Sequence, residues 1–130
     1  MTLNDPLANV LSHILNAERR GARSITTMSA NKIIKQALAI IQRAGYLGAA
    51  EETVDTKGNY LTVHLLGQIN KIGVIKPRYQ IKKDAYERYE KRYLPARDFG
   101  VIIVSTTQGL MTHTEAKEKG LGGKLLCYCY

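Results

Sequence analysis

Five consecutive residues near the end of the chain, Ser105-Thr106-Thr107-Gln108-Gly109, carry hydroxyl and amide groups but no charge. Each hydroxyl can both donate and accept a hydrogen bond, and the Gln108 side chain offers an acceptor and two donors. Such groups recognise a partner through the geometry of its polar atoms rather than through its charge. We call residues 105–109 the Ser-Thr loop, and its composition predicts a site that hydrogen-bonds a polar surface.

A strand and a helix are predicted to hold the Ser-Thr loop in position. Val101 to Val104 is a run of β-branched apolar residues, typical of a strand buried on both faces. Thr112 and Glu115 have the spacing of a capping box, which predicts a helix start. The segment Gly120-Leu121-Gly122-Gly123 then predicts a turn into a final strand, and this turn brings Lys124 close to the loop.

The first half of the chain alternates between helical and strand patterns. Apolar residues recur at helical spacing, or β-branched residues cluster, in segments 7–15, 24–28, 29–45 and 51–66. The predicted fold class is α+β with two small subdomains. Residues 1–66 form an N-terminal α-β-α-β-β subdomain. Residues 67–130 form a mainly β C-terminal subdomain with short helices that carries the Ser-Thr loop.

The charge of the chain favours a polyanionic partner. Nineteen Lys and Arg against eleven Asp and Glu give a formal net charge of +8, and most of the excess lies between Gln68 and Arg97. Basic side chains release condensed counterions when they meet phosphates, which favours nucleic acid. The candidate phosphate contacts are Lys32, at the start of the second helix, and Lys76, Arg78, Arg97 and Lys124.

Other residue types that could do chemistry are assigned to the core. Tyr86, Tyr89 and Tyr93 recur at helical spacing, which favours a core face over base stacking. On a strand, Cys127 and Cys129 would share a face with Leu125, opposite Tyr128. Both cysteines are therefore predicted to be small core residues. A second pair of ligands at zinc-binding spacing is missing, so no metal or other cofactor is expected.

With these segments in view, the sequence resembles the S-eight family of small-subunit ribosomal proteins over essentially its whole length. The residues that carry the resemblance are the Ser-Thr loop, Leu110-Met111, Glu115-Ala116, Gly120-Leu121-Gly122-Gly123, Asp5-Pro6-Leu7-Ala8, Asn16-Ala17, Ser29 and Lys32. The longer middle, residues 67–94, resembles the archaeal and eukaryotic branch. Bacterial members commonly read Ser-Thr-Ser-Lys-Gly at the loop. Gln108 stands where they have the lysine, so the loop of this chain lacks that positive charge.

The resemblance implies a structural constituent of the small ribosomal subunit without catalysis. It implies direct binding to the central domain of small-subunit rRNA as an early assembly protein, with neighbouring small-subunit ribosomal proteins as further partners. It assigns contacts with RNA bases and backbone in a widened minor groove to the Ser-Thr loop. No small-molecule substrate is implied. With no signal peptide and no apolar run long enough to span a membrane, a cytoplasmic location in the ribosome is expected.

Three other classes of function are alternatives to this one. A hydrolase would use Ser105 as its nucleophile, but the Gly-x-Ser-x-Gly motif is absent. No sequence pattern marks His64 or His113 as the general base that would activate Ser105. A nucleotide-binding loop is disfavoured, because Gly120 to Lys124 lacks the phosphate-loop spacing. A basic protein that binds nucleic acid without a specific rRNA site is the main alternative.

Overall fold

The fold is given by a computed structural model, which describes residues 6–28, 32–56, 58–75, 78–96 and 99–130. The chain forms two compact units that divide between Ile72 and Gly73. Helices and two antiparallel sheets are both present, so the predicted α+β class is confirmed. The subdomain boundary predicted between residues 66 and 67 stays a prediction.

The first unit has the element order predicted from the sequence. Its elements are α1 (Pro6–Arg19), β1 (Ser24–Met28), α2 (Lys32–Arg43), β2 (Leu47–Asp55) and β3 (Gly58–Leu65). The three strands form an antiparallel sheet in the order β1-β3-β2. β2 and β3 form the predicted hairpin, with Asp55 paired to Gly58. The predicted start of the second helix at Ser29 lies outside the described residues.

Helix α2 shows why these elements pack together. Ile34, Ala37, Leu38 and Ile41 are buried and recur every three or four residues, so they form one apolar face. At the flank of this face, the ammonium group of Lys35 lies 2.6 Å from a carboxylate oxygen of Glu52 on β2. Buried apolar area therefore supplies most of the stability of this layer, and a surface ion pair adds little to it.

The second unit is mainly β, as the sequence predicts. Its elements are β4 (Ile72–Val74), which begins at the boundary between the units, β5 (Gln80–Ile81), α3 (Tyr86–Tyr93), β6 (Val101–Thr106), β7 (Gly109–Thr112), α4 (His113–Lys119) and β8 (Gly123–Cys129). The strand order is β4-β8-β6-β7, and β5 also pairs with β8. Strands β6 and β8 therefore lie inside the sheet.

A register shift between β6 and β8 changes which side chains share a face. Ile102 pairs with Tyr128 and Val104 pairs with Leu125, with an irregularity between the two pairs. The extra residue of such a bulge reverses the alternation of β8 at this point. The expectation that Leu125 shares a face with Cys127 is therefore wrong, since Leu125 joins the core cluster against which Tyr128 packs.

A buried polar network joins helix α3 to the sheet and to α4. His113 Nδ1 accepts a hydrogen bond of 3.1 Å from the backbone N–H of Ile102 on β6. This bond requires an unprotonated Nδ1, so a neutral His113 carries its proton on Nε2. Nε2 lies 3.6 Å from a carboxylate oxygen of Glu90 on α3, and the same oxygen pairs with the ammonium group of Lys117. Glu90 is buried, and the ammonium group together with the imidazole N–H offsets the cost of its charge there.

Two further findings concern the described residues as a set. None of the described helices combines the length and the apolar character that crossing a bilayer requires. The described residues also contain no cluster of three or more His, Cys, Asp or Glu side chains arranged to hold a metal ion.

Burial makes the two cysteines poor nucleophiles, which gives the first testable prediction. Cys127 and Cys129 are both buried free thiols, as the sequence predicts. Burial, reinforced by the neighbouring Cys129, raises the pKa of the Cys127 thiol well above its usual range. Since the thiolate is the reactive form, we expect iodoacetamide to label the native protein far more slowly than the urea-unfolded protein at mildly alkaline pH. Mass spectrometry of the labelled peptides measures both rates, and equal rates would contradict this assignment.

Candidate nucleic-acid interface

The Ser-Thr loop is the tip of a β-hairpin. Ser105 and Thr106 are the last two residues of β6, and Gly109 is the first residue of β7. Thr106 pairs with Gly109 across the hairpin, so Thr107 and Gln108 form a two-residue turn between them. The sequence-based expectation of a loop running from a strand directly to a helix missed β7. A tight turn between two paired strands holds the loop more rigidly than such a loop would.

The hydroxyl of Thr106 maintains the shape of this turn. Its Oγ1 donates to the carbonyl oxygen of Gly109 at 2.8 Å and accepts from the backbone N–H of Gln108 at 3.1 Å. Gly109 has a φ of 109°, a backbone conformation that residues with a Cβ rarely adopt. The residue type at each of these two positions is therefore explained by the turn itself.

The hydroxyls of Ser105 and Thr107 do not hydrogen-bond within the turn. Thr107 is exposed and Ser105 is half-buried. Neither hydroxyl makes a hydrogen bond within the part of the chain that the structure describes. The Gln108 side chain is exposed at the tip of the turn. Three neutral polar side chains are therefore presented together on a rigid support.

Lys124 lies directly opposite Ser105 on the neighbouring strand β8. Residues that pair across two strands point to the same face of a sheet, so the side chains of Lys124 and Ser105 leave the sheet next to each other. On the other side of β8, Lys124 pairs with Gln80 of β5. The result is a transverse row of polar side chains, Gln80, Lys124 and Ser105, with Lys124 and Gln80 exposed.

Gly123 allows β8 to approach the loop this closely. A Cβ at Gly123 would overlap the carbonyl oxygen of Ser105 and the side chain of Val104. Only glycine fits between these groups without displacing the backbone. The prediction that the Gly122-Gly123 turn brings Lys124 close to the Ser-Thr loop is therefore confirmed.

Helix α4 anchors the far end of the hairpin. Thr112, the last residue of β7, accepts a hydrogen bond of 3.2 Å from the backbone N–H of Glu115, as the capping-box pattern predicts. Gly120 ends the helix in a left-handed conformation, with its N–H bonded to the carbonyls of the last turn.

The remaining candidate residues are distributed over the chain. Arg78 is exposed and precedes Tyr79, whose carbonyl accepts a 3.0 Å hydrogen bond from Leu125 N–H. It therefore lies on the segment that leads into β5. Lys32 is exposed at the start of α2 in the first unit. Lys76 and Arg97 lie outside the described residues.

A comparison with known protein families matches residues 5–130 to Ribosomal protein S8. The chain belongs to the ribosomal protein S8 family. Members of this family are structural, non-enzymatic proteins of the small ribosomal subunit, where they bind rRNA alongside other ribosomal proteins. The basic charge and the rigid polar hairpin are both consistent with that role. Assignment to the archaeal and eukaryotic branch stays a prediction.

Besides strand β7, sequence reasoning missed two further features of this site. The pairing of Gln80 with Lys124 was not foreseen, because β5 has only two residues and carries almost no periodic signal. The internal role of Thr106 was also missed, because three adjacent hydroxyl residues look equivalent in a sequence. Gly109 was the available signal, since glycine one residue after a two-residue turn suggests a hairpin.

The different tasks of Thr106 and Thr107 predict different stabilities for matched variants. Thr106→Val removes both hydrogen bonds of the turn and is expected to lower the free energy of unfolding by about 1–2 kcal/mol. Thr107→Val changes an exposed side chain and is expected to change the free energy of unfolding by less than about 0.5 kcal/mol. Urea titration followed by circular dichroism measures both. Equal losses in the two variants would show that the Thr106 hydrogen bonds do not support the turn.

Proposed function

We propose that this chain binds the central domain of small-subunit rRNA directly, as an early assembly protein of cytoplasmic ribosomes, and that the Ser-Thr loop makes the specific contacts. The hydroxyls of Ser105 and Thr107 are the observation that carries the proposal. Thr107 lies in the turn that Thr106 and Gly109 maintain, and Ser105 lies at the end of the strand that leads into it. No described group of the protein hydrogen-bonds to either hydroxyl. A rigid donor and acceptor set of this kind loses little entropy when it binds.

The chemistry of irregular RNA fits this loop. A widened minor groove exposes base edges and 2′-hydroxyls, both of which donate and accept hydrogen bonds. Neutral hydroxyls can match such a pattern, whereas a cation would be drawn to any nearby phosphate. The resemblance of residues 105–109 and 120–123 to the rRNA-binding family supports the choice of the central domain.

Basic side chains supply affinity and orientation in this proposal. Lys124 neighbours Ser105 across the sheet and would reach a phosphate next to the groove. Arg78 contributes from the segment before β5, and Lys32, Lys76 and Arg97 are proposed as further phosphate contacts. Phosphate contacts of this kind fix the register of a protein on its RNA but carry no sequence information.

Removing the two hydroxyls tests the specific site. Ser105→Ala combined with Thr107→Ala is expected to weaken binding to a central-domain rRNA transcript by about tenfold or more, because two hydrogen bonds are lost. Binding to a random duplex of equal length is expected to change little. Filter binding or fluorescence anisotropy at one salt concentration measures both affinities.

The matched control for the hydroxyl variant is Thr53→Ala with Thr114→Ala, which removes two exposed hydroxyls that are not part of the Ser-Thr loop. This control is expected to bind both RNAs as the unmodified protein does. Equal losses on the specific transcript and the random duplex would favour the alternative, a basic nucleic-acid-binding protein without a specific site. Equally tight binding of the unmodified protein to other rRNA domains would contradict the assignment to the central domain.

Removing charge near the loop tests the proposed binding of phosphates. Arg78→Gln with Lys124→Gln is expected to reduce the slope of log affinity against log salt by about one for each phosphate that the variant no longer neutralises. Lys35→Gln is the control, because Glu52 already pairs with Lys35 in the first unit. Titrations at several salt concentrations give the slopes. An unchanged slope in the double variant would remove Arg78 and Lys124 from the interface.

A further inference from the structure

A continuous series of rings lies on the second unit and is not explained by the Ser-Thr loop. Its members, which we call the tyrosine strip, are Tyr89, Tyr79, Arg92, Tyr93, Tyr128 and Tyr130. At one end, the ring centroids of Tyr79 and Tyr89 are 5.3 Å apart. The guanidinium carbon of Arg92 lies 5.6 Å from the ring centroid of Tyr79 and also 5.6 Å from that of Tyr93.

The strip continues from helix α3 onto the last strand. The centroids of Tyr93 and Tyr128 are 5.5 Å apart, and those of Tyr128 and Tyr130 are 6.2 Å apart with nearly parallel rings. A Cβ at Gly73 on β4 would lie 3.3 Å from the Tyr128 hydroxyl oxygen, so glycine there leaves room for the ring. Six planar groups from three parts of the second unit are thus linked by successive close contacts.

The strip lies at the border between core and solvent. Tyr86 of the same helix is buried, its pKa is raised by burial, and its hydroxyl donates to the carbonyl of Leu121 at 2.7 Å. Tyr89 and Tyr93 by contrast are only half-buried and pack against the core cluster from outside. The prediction that these tyrosines form a core face is therefore confirmed for Tyr86, while Tyr89 and Tyr93 keep part of their surface exposed.

The exposed part of the strip is positively charged. Arg88 and Arg92 lie one turn apart on α3, and both are exposed. No carboxylate pairs with either arginine among the residues that the structure describes. The acidic residues of α3 are engaged elsewhere, since Glu87 lies 3.7 Å from Lys91 and Glu90 is buried against Lys117. The two guanidinium groups are therefore accessible to an anionic partner, and that of Arg92 lies beside the half-buried rings of Tyr79 and Tyr93.

Charge favours RNA over a protein as the partner of this surface. Tyrosine and arginine are common in protein interfaces as well as in RNA interfaces. A protein partner would have to supply carboxylates to match Arg88 and Arg92, whereas RNA supplies phosphates along its whole length. A guanidinium stacked on a ring still presents its edge donors, so Arg92 can hold a phosphate while Tyr79 and Tyr89 stack on bases.

We propose that the tyrosine strip is a second rRNA-binding surface, which stacks unpaired bases on its rings and holds their phosphates with Arg88 and Arg92. The ligand is single-stranded or bulged RNA, because bases within a duplex have no free face to offer. This proposal rests on the rRNA binding of the family and is independent of the role of the Ser-Thr loop.

Photocrosslinking tests the proposal on the unmodified full-length protein. Ultraviolet irradiation of its complex with small-subunit rRNA, followed by mass spectrometry of the peptides, is expected to show nucleotide adducts on Tyr79 or Tyr89. Adducts confined to the Ser-Thr loop would overturn the proposal. This measurement requires no substitution in the core and so does not depend on the stability of a variant.

Matched variants at Tyr89 separate ring stacking from packing and from charge. Tyr89→Phe keeps the ring and is expected to bind rRNA as the unmodified protein does. Tyr89→Leu keeps an apolar side chain but removes the ring, and is expected to weaken binding about tenfold without changing the salt slope. Arg92→Lys keeps the charge but removes the planar group. Like Tyr89→Leu, it is expected to weaken rRNA binding without changing the salt slope.

The outcomes also distinguish this surface from the Ser-Thr loop and from a protein interface. If Tyr89→Leu and Tyr89→Phe bind rRNA equally, the stacking role is wrong. If Tyr89→Leu binds rRNA normally but is not incorporated with other small-subunit proteins, the strip is a protein contact and the proposal is overturned. Failure of the Ser105→Ala, Thr107→Ala variant to lose affinity would remove the specific loop site and leave the predictions for Tyr89 unchanged.

Discussion

The close backbone approach of Gly123 to Ser105 is the constraint on which the second unit depends. Strand β6 is paired on both sides, with β7 through the hairpin and with β8 through the turn at Gly122 and Gly123. The pairing with β8 can reach Ser105 only because Gly123 has no side chain to collide with its carbonyl oxygen. The pairing of Lys124 with Ser105, next to the hairpin tip, depends on this close approach.

This constraint also explains why the three hydroxyl residues are not equivalent. A hairpin tip that projects beyond its neighbouring strand needs internal hydrogen bonds to keep one conformation. Thr106 supplies them through Gln108 N–H and Gly109 O, and it can do so because it is the residue immediately before the turn. The hydroxyls of Ser105 and Thr107, on either side of it, make no hydrogen bond to any residue that the structure describes. Ser105, a neutral polar residue, and Lys124, a basic one, then lie on adjacent strands. The proposed division between specific contacts and phosphate contacts would follow this arrangement.

Much of the fold follows from local patterns, and the exceptions have physical causes. The first unit could be predicted because its helices and strands are long enough for periodic burial to mark them, as in α2 and the β2-β3 hairpin. Strands β5 and β7 are short, so pairing with neighbours defines them rather than periodicity. The bulge near Leu126 likewise depends on how β8 matches β6. At the site, the residue types of the loop indicated hydrogen-bonding chemistry. The separate task of Thr106 could be recognised only from distances.

The buried carboxylate of Glu90 connects the elements that carry the two proposed RNA-binding surfaces, the Ser-Thr loop and the tyrosine strip. It lies on α3, directly after Tyr89 and three residues before Tyr93, and it meets Lys117 of α4 and His113. His113 in turn accepts the N–H of Ile102 on β6, the strand that ends in the Ser-Thr loop. A buried charge that lacks its partners is strongly destabilising, so this arrangement strongly favours one position of α3 against the sheet. The tyrosine strip and the hairpin tip are therefore held at a defined spacing within the second unit, and an RNA that binds both must match that spacing. A chain with the same surface residues but an apolar core at this point would keep the chemistry of both surfaces and lack the polar network that defines their relative position.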